Sequence, residues 1–157
     1  MKRSFSILIV YTAIFFSCSD SQSGINTFSK DQELIKSTII ESYIDGLQND
    51  GDSVKISKGF HPQFALLGKN QDGSIWALPI VDWKKKQVQK VIDGALPLQD
   101  PNRASAKFQL IDVSNDVAIA KLHYYQSGKH VYTDYLSLYK FNSEWKIVSK
   151  VFTKVSK

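Results

Sequence analysis

Two side chains in the sequence have the types that proton-transfer chemistry needs, His61 and Asp134. Asp134 lies in a stretch whose alternation predicts a strand, with Leu136 and Leu138 on the same face. Because two leucines share that face, we expect it to be buried. A carboxyl group held away from water has a raised pKa, which suits a general acid or base near neutral pH.

The partner of His61 has two candidates, Asp82 and Asp134. Asp82 stands at the start of a helical pattern, and we interpret it as an N-cap rather than a catalytic acid. Asp134 is then the expected partner, since a His–Asp hydrogen bond would fix the histidine tautomer. The structural alternative stays open for His61 and Asp134: such a pair can simply tie the helices to the sheet and satisfy buried polar groups.

Other chemistries lack support in the sequence. The histidines His61, His123 and His130 do not have the spacing of a metal site, so we predict no metal and no cofactor. The single cysteine, Cys18, lies near the N-terminus, and no G-x-S-x-G motif or glycine-rich phosphate loop occurs. Any reaction would therefore have to be cofactor-independent acid–base chemistry.

The elements that would position these residues divide into helices followed by strands. The apolar spacing predicts three helices, at 31–49, 53–60 and 82–92, and the last would bury Trp83, Val88, Val91 and Ile92. A hairpin is predicted between the second and third helices, at 63–68 and 74–80. Four further strands fill the C-terminal third, at 107–113, 117–126, 130–141 and 144–155. Short turns join these four, so consecutive strands must be antiparallel.

The N-terminus predicts export. Lys2 and Arg3 precede an apolar run that ends at Cys18, the layout of a signal peptide over 1–17. The end of the run resembles a lipobox, which predicts a lipidated Cys18, a tether over 18–30 and a domain over 31–157. We therefore expect a lipoprotein of the cell envelope, held at the membrane by its lipid alone, or otherwise a secreted domain.

Charge and length describe an ordinary domain. The chain has 157 residues and a formal charge of +5, of which Lys2 and Arg3 contribute two. The lysines are dispersed apart from the run at 84–86, whereas nucleic-acid binders cluster their charge on one face. We predict no nucleic-acid partner.

Several motifs give the chain a resemblance to a known family. It resembles the small "putative lumazine-binding" family of the nuclear transport factor 2-like (SnoaL-like) superfamily over residues 31 to 155. The matching motifs are Tyr43 with Gly46, Phe60-His61-Pro62, Thr133 to Leu138, Trp145 to Val148 and Lys150 to Phe152. The resemblance implies an α+β cone, in which N-terminal helices pack on a strongly curved antiparallel β-sheet.

The resemblance leaves three functions open. The first is a small-ligand-binding or accessory domain that takes an apolar or aromatic molecule. The second is a cofactor-free lyase or isomerase of the polyketide cyclase (SnoaL) or ketosteroid isomerase type, using His61 and Asp134. The third is an interaction module, which would dimerise through the sheet face of Tyr135 and Tyr139. The expected pocket lining is Tyr43, Phe60, Phe64, Trp76, Trp83, Leu136 and Trp145.

Overall fold

A computed structural model describes residues 29–156 of the chain. Its helical elements are α1 (Lys30–Thr38), a π-helix (Ile39–Asp50), α2 (Ser53–Gly59) and α3 (Ile80–Ile92). Its strands are β1 (Phe60–Lys69), β2 (Ile75–Pro79), β3 (Ala104–Ser114), β4 (Val117–Gln126), β5 (Lys129–Phe141) and β6 (Glu144–Lys154). None of these helices is long and apolar enough to cross a membrane.

The first long helix changes geometry halfway. It begins at Ser29, whose side chain forms a capping box with Gln32. The predicted span of 31–49 is confirmed, but its second half is a π-helix, which sequence spacing did not indicate. Backbone hydrogen bonds in a π-helix join residues five apart. Tyr43 and Gln48 consequently lie on the same face of the helix.

Six strands form one sheet in the order β2-β1-β6-β5-β4-β3. Neighbouring strands are antiparallel except for β1 and β6, which run parallel. The prediction of a wholly antiparallel sheet is therefore wrong at one pair. Short turns determine the direction of strands that follow each other in sequence, whereas β1 and β6 are the first and last strands and no turn joins them.

Helix α3 begins two residues before the predicted N-cap. Pro79 occupies the cap position, and no side chain caps the helix there. Asp82 lies in the first turn, exposed, with a carboxylate oxygen 3.8 Å from the ammonium of Lys85. The N-cap interpretation of Asp82 is wrong because the helix already starts at Ile80, directly after the last residue of β2.

The buried face of α3 also differs from the prediction. Val91 and Ile92 are exposed, at 40% and 72% of their surface. The fully buried positions are Ile80 and Gln87, and Gln87 donates a hydrogen bond of 2.8 Å to the backbone oxygen of Leu47.

The core lies between the helices and the inner face of the sheet. Alternate residues of β4 and β5 point into it, and on β5 these are Asp134, Leu136 and Leu138, all buried. Bulges interrupt the β3–β4, β4–β5 and β5–β6 pairings. Bulges bend and twist strands, so the sheet curves around the helices as a cone.

Candidate functional site

Three polar side chains meet inside the cone, one from each of three elements. Asp134 of β5 is 0% exposed, Lys150 of β6 is 5% exposed, and Tyr43 of the π-helix is 2% exposed. Charged residues are almost never fully buried unless they are paired. We refer to Tyr43, Asp134 and Lys150 as the buried triad.

A bulge in β6 turns Lys150 toward the inside. Trp145 and Ile147 point inward, and unbroken alternation would make Ser149 the next inward residue. The register shifts by one position at Val148, because Leu138 pairs with Ile147 while Ser137 pairs with Ser149. Lys150 therefore faces the core, beside the pair that Asp134 forms with Phe152.

The triad is fully connected through one carboxylate oxygen. Oδ2 of Asp134 lies 2.8 Å from the ammonium nitrogen of Lys150 and accepts a hydrogen bond of 2.7 Å from the Tyr43 hydroxyl. Lys150 also donates to the Tyr43 oxygen. The second oxygen, Oδ1 of Asp134, is buried and has no hydrogen-bond partner among the described residues. That oxygen is free to accept a proton or a donor group.

The surroundings of Lys150 act on its positive charge in two opposite directions. Burial lowers the pKa of Lys150, although the Asp134 carboxylate acts in the opposite direction. Burial, together with the Asp134 charge, raises the pKa of Tyr43 well above its usual value. Three aromatic rings surround the ammonium, with centroids at 4.5 Å for Tyr43, 5.5 Å for Phe152 and 5.9 Å for Trp83. The ring faces recover part of the cost of removing the charge from water.

A cavity of about 280 Å³ opens onto Lys150. Its volume is near the lower end of the range for small-molecule sites. Most of the wall is aromatic, and polar groups reach it at Gln48, Gln126 and Lys150. The lining residues are Tyr43, Gln48, Leu66, Trp83, Tyr124, Gln126, Tyr132, Lys150 and Phe152. Burial raises the pKa of Tyr124 to about 12, so its hydroxyl stays protonated at neutral pH.

His61 lies elsewhere. Its ring stacks on Phe141 at 4.9 Å, and its Nδ1 accepts the backbone N–H of Gln63 at 3.2 Å. Phe141 is at the far end of β5 from Asp134, a separation of about 23 Å along the strand at 3.3 Å per residue. The structure does not bring His61 and Asp134 together, and the expected hydrogen bond between them does not form within the described residues.

The other sequence-selected residues divide between cavity and core. Tyr43 and Trp83 line the cavity. Phe60, Phe64 and Leu136 belong to the hydrophobic core.

Trp145 also belongs to the hydrophobic core, and Trp76 packs against it. The Trp76 ring lies 6.1 Å from that of Phe152, behind the cavity wall. The Trp145 indole donates to Asp31 at 3.1 Å, where α1 meets the sheet. Cys18 lies outside the described residues. Of the remaining histidines, His123 and His130 stack at 4.1 Å.

Seven cavity-lining residues were not predicted from the sequence: Gln48, Leu66, Tyr124, Gln126, Tyr132, Lys150 and Phe152. Simple alternation along β4 could have predicted that Tyr124 faces inward, on the same side of the strand as Leu122. No local pattern pointed to Lys150, because only the bulge at Val148 turns it inward.

Comparison with known proteins places the chain in a family. Residues 30–153 match the family model described as "Putative lumazine-binding". Among curated proteins, the "Aldolase FrzH" of Cladobotryum sp is 25% identical over 111 residues, which cover 70% of this chain and 81% of that protein.

Solved structures share the cone. An NTF2-like (nuclear transport factor 2-like) protein of unknown function from Shewanella baltica OS155 has a TM-score of 0.60 and 24% identity, covering 83% of this chain and 100% of that one. Another, from Silicibacter pomeroyi DSS-3, has a TM-score of 0.62 and 15% identity, covering 82% of this chain and 100% of that one. These similarities confirm the predicted α+β cone.

Proposed function

The chain belongs to the family described as "Putative lumazine-binding", and on that premise we propose that it binds a small, flat organic molecule in the cavity above Lys150. The ligand carries a carbonyl or another hydrogen-bond acceptor. The observation that carries this proposal is the placement of a nearly buried ammonium at the wall of an otherwise aromatic cavity.

The cavity walls select for a flat, apolar body. Trp83, Tyr124, Tyr132 and Phe152 present ring surfaces, and aromatic faces favour stacked or edge-on contacts with other rings. A ligand of this shape would exclude water from the cavity. Its burial would contribute about 25 cal/mol for each Å² of apolar surface removed from water.

The polar groups select for an acceptor. Lys150 carries only donors, and its ammonium already contacts Asp134 and Tyr43. A ligand carbonyl can accept a further N–H of this ammonium, and Gln48, which also lines the cavity, can donate or accept. Such a wall with few polar groups is typical of sites that orient a ligand.

Calorimetry with defined probes tests the proposal. Lumazine and 2-acetylnaphthalene are flat molecules with carbonyl groups, and we expect at least one to bind with a stoichiometry of one per chain. We expect Lys150→Met to weaken binding about tenfold, the loss of about one hydrogen bond to a charged group. The matched control is Lys85→Met, an exposed lysine, which should bind normally. Failure of both probes to bind, or equal binding by Lys150→Met, would contradict the proposal.

A second candidate function is cofactor-independent chemistry at a carbonyl compound. Two observations favour it: the likeness to a protein named an aldolase, and a lysine whose pKa burial lowers toward the range of a general base. The candidate uses Lys150 with Asp134 and Tyr43, since His61 stacks on Phe141, at the far end of β5 from Asp134.

Hydrogen–deuterium exchange tests this candidate. The methyl protons of 2-acetylnaphthalene should exchange in D₂O faster with the protein than without it, and Asp134→Asn should abolish the acceleration. His61→Ala should retain it. Exchange at the uncatalysed rate would remove the candidate.

We also propose that the domain is exported and tethered to the cell envelope through a lipid on Cys18, which lies outside the described residues. The N-terminal sequence alone supports this. Cys18→Ala should release the protein from the membrane fraction, and retention of that variant in the membrane would contradict the tether.

A homodimer through the outer sheet face remains a proposal from the resemblance. Ile119, Tyr135, Tyr139 and Val151 expose apolar surface on this face, which a second copy would cover. Light scattering should give twice the mass of one chain, and Tyr135→Lys should reduce it to one. A single-chain mass for the wild type would contradict the dimer.

A further inference from the structure

We propose that Lys150 captures its ligand covalently, by condensing its ε-amino group with a ligand carbonyl to form an imine in the cavity. The inference rests on the proposed function, because the carbonyl compound must first enter the cavity. It assigns the substrate class: a flat ketone or aldehyde whose carbonyl carbon reaches Lys150 and Tyr43 in the cavity lining.

The position of Lys150 suits a nucleophilic amine. Its side chain is 6% exposed, yet it belongs to the cavity lining, so the small surface that remains faces the ligand space. The aromatic rings of Tyr43, Trp83 and Phe152 surround the nitrogen at 4.5–5.9 Å. A lysine kept from water in an apolar site becomes a nucleophile because its neutral form is favoured. Burial lowers the pKa of Lys150 in this direction.

Asp134 supplies a place for the proton that the amine must lose. The ammonium of Lys150 lies 2.8 Å from Oδ2, so transfer within the pair gives a neutral amine and a protonated carboxyl. The unpartnered Oδ1 lies in the same carboxyl group and can hold this proton. Transfer creates no net charge in the core, which is the condition for a buried pair to exchange a proton at low cost.

The atoms and charges of the condensation balance. The amine nitrogen attacks the carbonyl carbon, a C–N bond forms, and the carbonyl oxygen takes the proton held by Asp134 through the Tyr43 hydroxyl, which contacts Oδ2 and lines the cavity. A second proton, from nitrogen by way of the Tyr43 hydroxyl, converts the resulting hydroxyl into departing water. Overall, an ammonium and a carbonyl compound give a protonated imine and one water. The positive charge stays on the nitrogen, opposite the Asp134 carboxylate.

Tyr43 is a positioning and proton-transfer residue in this scheme. Its hydroxyl accepts from Lys150 and donates to Asp134, so it connects the two groups that exchange protons. Burial raises the pKa of Tyr43, which keeps its hydroxyl protonated and able to donate. Tyr43→Phe preserves the ring against Lys150 and removes only this connection.

Reductive trapping tests the inference on the full chain. The protein is incubated with 2-acetylnaphthalene and sodium cyanoborohydride, which reduces a protonated imine to a stable secondary amine. We expect one adduct per chain, which adds to the protein the mass of the probe less one oxygen. Peptide mapping should place it on Lys150. An aromatic ketone is chosen because exposed lysines form imines with it slowly.

Variants separate covalent capture from structural effects. Lys150→Arg keeps a cation beside Asp134 and should lose the adduct, whereas Lys85→Arg should retain it. Lys150→Met combined with Asp134→Asn avoids an unpaired buried charge and should also lose the adduct; circular dichroism confirms that each variant is folded. Tyr43→Phe should slow trapping about 100-fold, the low end of the contribution of general acid–base catalysis, and should change its pH profile.

The outcomes distinguish this inference from the proposed function. Binding of the ketone by calorimetry without an adduct, or with adducts spread over exposed lysines, would overturn the imine while leaving ligand binding intact. Absence of both binding and adduct would overturn the two proposals together. An adduct at Lys150 that persists in Tyr43→Phe at the wild-type rate and pH profile would overturn the role of Tyr43.

Discussion

The ammonium of Lys150 and the carboxylate of Asp134 lie 2.8 Å apart, with both side chains almost completely removed from water. The two residues occupy adjacent strands and reach each other only on the inner face of the sheet. A buried pair of this kind costs desolvation free energy to form, and removal of one member leaves the other charge without compensation. The pair is therefore both a functional candidate and a sensitive point of the fold.

Asp134→Asn should lower the free energy of unfolding by about 3–5 kcal/mol, because it leaves the buried Lys150 ammonium without an opposite charge. Urea denaturation measures this. The matched control is Asp82→Asn, which breaks an exposed contact of 3.8 Å with Lys85. Exposed pairs contribute about 0–1 kcal/mol. Equal losses in the two variants would contradict the buried assignment of Asp134.

The double variant Asp134→Leu with Lys150→Met should be more stable than either single variant. Apolar residues of similar volume need no compensation for lost hydration, so replacing a whole buried pair is often neutral or stabilising by about 1–4 kcal/mol. A double-mutant cycle in urea gives the coupling between the two positions. Additive losses would show that the two groups are energetically independent.

Tyr124→Phe should change stability at alkaline pH. Burial raises the pKa of Tyr124 to about 12, whereas a tyrosine in the unfolded chain titrates near 10. The unfolded state therefore releases this proton first as the pH rises from 10 to 12, which favours unfolding in that window. Removing the hydroxyl should make the decline in the free energy of unfolding shallower.

The alkaline decline has other contributors facing the same cavity. Tyr43 adds in the same direction, since burial raises its pKa, while the pKa of Lys150, which burial lowers, acts in the opposite direction until the unfolded lysine has lost its proton near pH 10.5. Tyr135→Phe on the outer sheet face is the control. A Tyr124→Phe slope identical to that of the wild type above pH 10 would contradict the prediction.

His61→Ala should leave probe binding and adduct formation unchanged. The ring stacks on Phe141, far along β5 from the cavity, so its removal affects only that contact. We expect a loss of stability of about 0.5–1.5 kcal/mol from the aromatic pair. Calorimetry and reductive trapping in the same variant check the separation. A loss of binding as large as that of Lys150→Met would restore His61 to the site.

Gly68→Ala should disturb the edge of the sheet. A Cβ at this position would lie 2.0 Å from Cζ2 of Trp76, which packs over the glycine from the neighbouring strand. Overpacking of this kind costs about 1–3 kcal/mol. The same substitution in a Trp76→Ala background should be nearly neutral, and tryptophan fluorescence follows the displaced ring. An equal cost in both backgrounds would place the strain elsewhere.

Sequence periodicity was sufficient for most of the architecture. The short turns that separate β3 to β6 impose antiparallel neighbours, and the spacing of apolar residues predicts each helix near its observed bounds. Alternation also placed Asp134 correctly on the buried face of β5. These features depend on residues close together in the chain, so local rules apply to them.

Contacts between distant segments could not be predicted from local sequence patterns. The parallel pairing of β1 with β6 joins the first and last strands in the sequence, and no turn connects them. The π-helical half of the first helix depends on what packs against it, since Tyr43 and Leu47 are buried there. The start of α3 at Ile80 follows from the end of β2 rather than from the cap residue Asp82.

The sequence by itself determined a set of helices followed by a sheet, and a carboxylate, Asp134, on the buried face of one strand, because periodicity records which face of each element is apolar. Only the tertiary structure decided the partner of that carboxylate. The bulge at Val148 shifts the register of β6 by one residue, and a shift of one residue moves a side chain to the other face of a sheet. Lys150 turns inward for that reason, and His61, held against Phe141, stays away.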